Sequence, residues 1–175
     1  MKAKRAVFLD RDGTLIEDAG FLADPLRVRV LPTVVAALRL LTARGYACIV
    51  ISNQSGVARG YFDQDAVRAV NAEIARRLGN DGVALDGWYW CPHYDDGCDC
   101  RKPEPGLLHR AVREHGVVLQ RGAVVGDRGS DIELAHRAGI AGVLVPGPAP
   151  YEGPPPDFRA RTLLEAAEWI VRDAH

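Results

Sequence analysis

Two aspartates on either side of one arginine, Asp10 and Asp12 in DRDGT (10–14), have the types and spacing that could support a reaction. They follow the apolar run AVFL, which predicts a buried strand, and Gly13 allows a turn whose backbone N–H groups face an anion. One carboxylate can attack phosphorus to give an aspartyl-phosphate, while the second protonates the leaving oxygen and later activates water. Taken alone, the segment is equally typical of an ordinary turn.

Two carboxylates that face an anionic ester need positive charge beside them. Asp127, in GDRGSD, can supply a ligand for Mg²⁺ next to Asp10, with Asp131 in a supporting position. Lys102 would add a fixed positive charge, and the Ser52 hydroxyl would hold a phosphoryl oxygen. Each residue alone is commonplace, as a strand end, a turn or a solvated charge. Their order, at or near the ends of successive predicted strands, indicates one site.

A second cluster lies in residues 91–100, which we name the Cys–His loop. Its four soft ligands are Cys91, His93, Cys98 and Cys100. Cys₃His is a recognised structural zinc set that leaves no open position at the metal. We predict a structural zinc ion here, with free thiols in a loop as the alternative. Because Cys100 directly precedes Arg101 and Lys102, the bound metal would aim both cations into the site.

Short apolar runs and amphipathic stretches alternate along the chain. Strands are predicted at 6–10, 47–52, 86–92, 122–127 and 141–146, and helices at 32–45, 63–79, 106–116, 130–139 and 160–174. Asp63 and Gly79 are predicted to cap the second helix. The alternation predicts an α/β fold with a parallel sheet of about five strands and helices on both faces. Ligands bind outside the carboxyl ends of such strands, so Asp10, Ser52 and Asp127 should meet in one crevice.

The composition is that of an ordinary globular chain of 175 residues, with 47% hydrophobic and 26% charged residues. We expect one domain over residues 1–175. No apolar run approaches the roughly 20 residues of a membrane span, and the N-terminal run is too short for a signal peptide. We therefore expect a cytoplasmic protein that binds no membrane. A net charge of −1 also argues against a nucleic-acid partner.

Four segments resemble, in content and order, the motifs of the haloacid dehalogenase superfamily of phosphotransferases: FLDRDGTL, VISNQSG, CRKPEPG and VVGDRGSDIELAHRAG. The resemblance implies a Rossmann-like sheet without a large cap domain. It also implies Asp10 as nucleophile, Asp12 as acid and base, and Mg²⁺ held by Asp10, Asp127 and the backbone carbonyl of Asp12. Stabilising roles for Ser52 and Lys102 are implied in the same way.

Within that superfamily, SNQSGVARGYF and CPH…CDCRKPEPG resemble the heptose-1,7-bisphosphate 7-phosphatases, which serve nucleotide-heptose and lipopolysaccharide precursor synthesis. The resemblance implies substrate contacts at Asp18, Gly20, Phe21, Asn53, Gln54, Ser55 and Arg101. Two positions depart from the pattern, with Ser52 where Thr is commoner and Arg128 where Lys is usual, but both keep a hydrogen-bond donor. We therefore expect Arg128 to contact substrate as well. A bisphosphate also needs a second cationic contact, for which Arg59 is a candidate unless it is simply a solvated arginine.

Three other functions remain open at this point. Histidinol-phosphate phosphatases share the Cys–His loop and the GDR sequence. A 3′-phosphatase acting on nucleic-acid ends shares parts of the motifs, but the acidic balance counts against it. A zinc-organised binding module with a dead site would be expected to lack Asp10 or Asp12, and both are present. We expect a monomer that acts on a small phosphorylated sugar.

Overall fold

A computed structural model describes residues 4–173 of the chain. Its strands are β1 (Lys4–Leu9), β2 (Tyr46–Asn53), β3 (Gly87–Cys91), β4 (Val117–Gly126), β5 (Ala141–Leu144) and β6 (Phe158–Arg159). Its α-helices are α1 (Val34–Ala43), α2 (Gln64–Asn80), α3 (Gly106–His115), α4 (Gly129–Arg137) and α5 (Leu163–Asp173). A 3₁₀ turn lies at Pro25–Arg27. No helix within the described range is both long enough and apolar enough to cross a membrane.

The strands form one sheet in the order β3-β2-β1-β4-β5-β6, and every neighbouring pair is parallel. The predicted parallel α/β fold is therefore confirmed, with six strands in place of about five. The additional strand, β6, has only two residues, which pair with Val143 and Leu144 of β5. Two residues are too few to show a periodicity, so this strand left no pattern in the sequence.

Side chains of β1 alternate between two hydrophobic cores, one on each face of the sheet. Val7 and Leu9 join a core that α1, α2 and α5 complete, whereas Ala6 and Phe8 join a core completed by α3 and α4. This alternation follows from the period of two in a strand. Because helices cover both faces, the polar residues that follow the strands are left at the carboxyl edge of the sheet.

Several predicted boundaries differ from those in the structure. β4 begins at Val117, before the apolar run that marked it, because Lys4 and Arg5 of β1 pair with Val117 and Val118 ahead of an irregularity in the ladder. Helices α1 and α5 begin later than predicted, and predicted residue 174 lies outside the described residues. Gly79 does not end α2, which continues to Asn80.

The segments that separate β1 from α1 and β2 from α2 are short, spanning residues 10–33 and 54–63. Within the described range they hold one 3₁₀ turn and isolated bridges, so no cap domain is inserted at either place. Loops alone therefore shape the mouth of any site at this edge of the sheet.

The N-terminal cap of α2 was predicted at Asp63, and its carboxylate accepts a 2.9 Å hydrogen bond from the backbone N–H of Ala66. We expect Asp63→Ala to lower the free energy of unfolding by about 1 kcal/mol, or the melting temperature by about 2–4 °C, because that N–H loses its partner. Asp65→Ala, in the exposed first turn, should cost no more than about 0.5 kcal/mol. Thermal unfolding of both variants checks this, and equal losses would contradict the cap.

Candidate active site

Three aspartates converge where β1 and β4 end. Asp10 follows β1, and its backbone N–H bonds the carbonyl of Val125 at 2.9 Å. Asp127 follows β4, and Asp131 lies in the first turn of α4. Their carboxylate oxygens all lie within 4.8 Å of one another, and the three side chains are buried. Asp10 and Asp127, which are 117 positions apart in the sequence, thus share one site, which we name the carboxylate cluster.

Lys102 places its ammonium group inside the carboxylate cluster. Nζ donates hydrogen bonds to Asp10 Oδ1 at 2.7 Å, to Asp131 Oδ1 at 2.6 Å and to the Ile51 carbonyl at 2.8 Å. Burial raises the pKa of Asp10, and the charge of Lys102 opposes that rise. Burial alone would lower the pKa of Lys102, but the two carboxylates raise it overall, so the ammonium stays charged. One cation against three carboxylates leaves the cluster with an excess of negative charge.

Asp127 has an oxygen available for a ligand. Its Oδ1 is buried and has no hydrogen-bond partner within residues 4–173. Burial, together with the charges of Asp10 and Asp131, raises the pKa of Asp127 to about 7. A Cβ atom at Gly13 or at Gly147 would collide with Asp127 Oδ2. The backbone at both glycines therefore lies close against this carboxylate.

A divalent cation fits this cluster on two counts: the unpartnered oxygen and the uncompensated charge. Asp131 is not free to ligate in the same way, because Oδ1 is bonded by Lys102 and Oδ2 accepts the Arg128 backbone N–H at 3.1 Å. Asp10 and Asp127 remain as the carboxylates that face such an ion, and Asp131 orients Lys102.

Asp12 is held by a buried arginine that the sequence analysis overlooked. Arg11, only 1% exposed, donates from Nε to Asp12 Oδ2 at 3.0 Å and from Nη2 to Asp12 Oδ1 at 3.1 Å. Gln54 Nε2 adds a bond to Asp12 Oδ2 at 2.9 Å, and Asn71 of α2 accepts from Arg11 Nη1 at 3.0 Å. A basic residue between two aspartates was a signal for Arg11. Nothing in the sequence marked Asn71.

The last residues of β2 connect the carboxylate cluster to the Cys–His loop. Ser52 is buried, and its hydroxyl accepts from Gln54 Nε2 at 2.6 Å. Asn53 bonds the backbone of Lys102 twice, accepting from its N–H at 2.9 Å and donating to its carbonyl at 3.1 Å. Asn53 therefore fixes the chain that carries the lysine. The predicted contact of Ser52 with a phosphoryl oxygen stays a prediction.

A cavity of about 410 Å³ opens at this edge of the sheet. It is lined by Asp10, Asp12, Asp18, Gly20, Phe21, Asn53, Gln54, Ser55, Arg59, Arg101, Lys102, Arg128 and Ser130. All nine predicted substrate contacts are in this set, whereas Ser52, Asp127 and Asp131 are not. Ser130 was missed, since a serine at a helix start is usual. The structure thus brings the predicted residues together, and their roles in binding stay predictions.

The Cys–His loop gathers four ligand atoms outside the cavity. Cys91 Sγ lies 3.6 Å from Cys98 Sγ and 3.0 Å from Cys100 Sγ, and the latter two are 3.4 Å apart. His93 Nδ1 lies 3.6 Å from Cys91 Sγ and 3.2 Å from Cys100 Sγ. Sulfurs around a tetrahedral zinc stand about 3.8 Å apart, so a small outward shift accommodates the ion. The four residues can therefore hold a metal ion.

A family model described as HAD-hydrolase-like matches residues 99–165. The D-glycero-β-D-manno-heptose-1,7-bisphosphate 7-phosphatase of Pasteurella multocida (strain Pm70) is 40% identical over 149 residues, which cover 81% of each chain. A D-glycero-D-manno-heptose-1,7-bisphosphate 7-phosphatase of Thermosynechococcus vestitus is 37% identical and covers 94% of each chain.

A solved structure is similar to this chain in both fold and sequence. A crystal structure of D,D-heptose 1,7-bisphosphate phosphatase from B. bronchiseptica, complexed with magnesium and phosphate, superposes with a TM-score of 0.86. It is 33% identical in sequence, and the match covers 97% of this chain and 99% of that one.

The buried ammonium of Lys102 is the only positive charge that bonds the carboxylate cluster within the described residues. We expect Lys102→Met to lower the free energy of unfolding of the metal-free protein by about 3–5 kcal/mol, because Asp10 and Asp131 lose their buried partner. Lys4→Met, which breaks the exposed pair with Asp86, should cost less than about 1 kcal/mol. Urea unfolding in a chelator measures both losses.

The same variant has an expected pH dependence. Burial raises the pKa of Asp10 and Lys102 opposes that rise, so removing Lys102 should raise the pKa of Asp10 further and let protonation stabilise the folded variant as the pH falls. The deficit of Lys102→Met should therefore shrink as the pH is lowered from neutral. A deficit equal to that of Lys4→Met, or one that grows in acid, would contradict the electrostatic account.

Proposed function

We propose that this chain, which belongs to the heptose-1,7-bisphosphate 7-phosphatase family of haloacid dehalogenase-like hydrolases, removes the 7-phosphate of D-glycero-D-manno-heptose 1,7-bisphosphate. It is a phosphoric monoester hydrolase. The observation that carries the proposal is the carboxylate cluster around Lys102, which opens into a cavity lined by three arginines. Such a cavity suits a small ligand with more than one negative charge.

The reaction assigned to these residues has two steps. Asp10 attacks phosphorus, a bond forms between its carboxylate oxygen and phosphorus, and the bond from phosphorus to the sugar oxygen breaks while Asp12 donates a proton to that oxygen. In the second step Asp12 takes a proton from water, the water oxygen attacks phosphorus, and phosphate leaves with Asp10 restored. The bonds from Arg11 and Gln54 fix the orientation of Asp12, which lines the cavity.

Mg²⁺ is the cation that we assign to the carboxylate cluster, held by Asp10, Asp127 and the backbone carbonyl of Asp12. When bound, it would offset the negative charge on the phosphoryl oxygens. The unpartnered Oδ1 of Asp127 supports this assignment. Lys102 contributes a fixed charge on Asp10, and the Ser52 hydroxyl contributes a donor close by.

Zn²⁺ is the ion that we assign to the Cys–His loop, with Cys91, His93, Cys98 and Cys100 as its four ligands. Four protein ligands leave the ion no position for substrate, so its role is structural. The loop fixes the backbone that continues into Arg101 and Lys102, and Arg101 Nη1 bonds the His93 carbonyl at 3.2 Å. Thiolate ligands need a reducing compartment, which is one reason to place the enzyme in the cytoplasm. We assign it as a monomer, because without a cap domain nothing in the proposed site demands a partner.

Phosphate release from purified protein tests the reaction and its substrate. We expect D-glycero-D-manno-heptose 1,7-bisphosphate to have a kcat/KM at least about tenfold above that of histidinol phosphate or other sugar phosphates, with Mg²⁺ required. Asp10→Asn should lower kcat by at least about a thousandfold, because its amide cannot attack phosphorus. Asp65→Asn, on the exposed side of α2, is the control and should keep wild-type kcat. Dominant turnover of histidinol phosphate would replace the proposed substrate.

Removing one zinc ligand tests the structural role of the Cys–His loop. Cys98→Ala should abolish bound zinc and lower the melting temperature by at least about 5 °C, and kcat/KM should fall with it because Arg101 and Lys102 lose their fixed position. Cys48→Ala is the matched control, since this buried cysteine lies in β2 outside the loop and should leave zinc content unchanged. Atomic emission measures the metal. A zinc-free Cys98→Ala enzyme with full activity would contradict the role.

A further inference from the structure

Aromatic side chains are exposed around the mouth of the cavity. Phe21, Tyr61 and Tyr94 keep 51%, 58% and 46% of their surface accessible. Phe21 lines the cavity and meets Tyr61 edge to face at 4.7 Å between ring centroids. Tyr94 belongs to the Cys–His loop, directly after His93, and the sequence analysis assigned it no role.

The guanidinium groups of two arginines lie near the ring of Tyr94. The Cζ atom of Arg59 lies 3.7 Å from the centroid of the Tyr94 ring, and that of Arg101 lies 5.6 Å from it. Arg59 is also 5.6 Å from the ring of Phe21. A guanidinium that lies over a ring uses its face for the contact, and its N–H groups along the edge remain available for an anion.

These two arginines also differ from the other cations of the cavity in their ion pairing. Lys102 is bonded to Asp10 and Asp131, and Arg128 pairs with Asp18 at 2.8 Å. Within residues 4–173, neither Arg59 nor Arg101 forms an ion pair, and Arg101 bonds only a backbone carbonyl. Positive charge that no carboxylate offsets is therefore concentrated around Tyr94, at the mouth of the cavity.

We propose that Tyr94 is a positioning residue that holds Arg59 beside Arg101 as a subsite for the phosphate that does not react. The inference rests on the proposed function, because it assumes a substrate with two phosphates. It explains how a site without a cap domain can distinguish a bisphosphate from a monophosphate: the second phosphate binds arginines whose place is set by a ring on the Cys–His loop.

Steady-state kinetics on two substrates test the subsite: heptose 1,7-bisphosphate and heptose 7-phosphate. We expect Tyr94→Leu to raise the KM for the bisphosphate roughly fivefold, since Arg59 loses the nearer of its two rings, while kcat and the KM for the monophosphate change less than about twofold. Tyr94→Phe keeps a ring and should restore the wild-type KM. Tyr61→Leu is the control, an exposed tyrosine beside Phe21. Zinc content is measured in each variant to confirm an intact loop.

The outcomes separate the subsite from the proposed function. If wild type hydrolyses the bisphosphate but Tyr94→Leu leaves the ratio of the two KM values unchanged, the subsite is wrong and the function stands. Equal KM values for the two substrates in wild type also overturn the subsite, because the second phosphate then adds no binding. If wild type hydrolyses neither substrate, the proposed function is wrong and the subsite is rejected with it. A rise in both KM values with loss of zinc identifies a structural role for Tyr94 and rejects the subsite.

Discussion

The burial of three carboxylates around one ammonium group is the constraint on which the rest of this site depends. Removing ionised groups from water costs several kcal/mol for each, and one lysine cannot compensate for Asp10, Asp127 and Asp131 together. The backbone must also leave room for them. A Cβ atom at Gly126 would collide with Asp131, just as one at Gly13 would collide with Asp127. Glycine is therefore required in the turn after β1 and at the end of β4, because a carboxylate approaches the backbone closely at both places.

Lys102 connects this cluster to the Cys–His loop, whose four candidate ligands could hold a metal ion. The lysine follows Cys100 by two residues, and its backbone is bonded at both its N–H and its carbonyl by the amide of Asn53. Its Nζ also bonds the carbonyl of Ile51 in β2. The ammonium group is thus fixed from the end of a strand on one side and from the Cys–His loop on the other. A metal in that loop would set the electrostatics of the carboxylate cluster without touching substrate.

How far the sequence predicts this arrangement depends on the range of the interaction. Asp10 and Asp127 could be placed together because both follow apolar strands of a parallel sheet, and the spacing of three cysteines and a histidine marked the four candidate ligands of the Cys–His loop. Asn71 could not be found, because its bond to Arg11 joins residues 60 positions apart and an asparagine in a helix has no distinctive pattern. The strand β6 was missed for a similar reason, because its two residues show no local pattern and its pairing depends on β5. In β4 the polar residues 120–121 separate the first apolar residues from the run that marked the strand.

The arginines of the cavity show why the type of partner matters as much as the presence of a charge. Arg128 is held by the carboxylate of Asp18, which fixes its position but offsets its charge. Arg59 is held over the ring of Tyr94, which fixes its position and leaves the charge in place. An open cavity in contact with water screens charges strongly, so an arginine that binds an anion there must be ordered before the ligand arrives. An aromatic ring can order an arginine without offsetting its charge, whereas a carboxylate orders the arginine and offsets its charge. On the proposal above, this difference favours Arg59 over Arg128 as a ligand for a second phosphate.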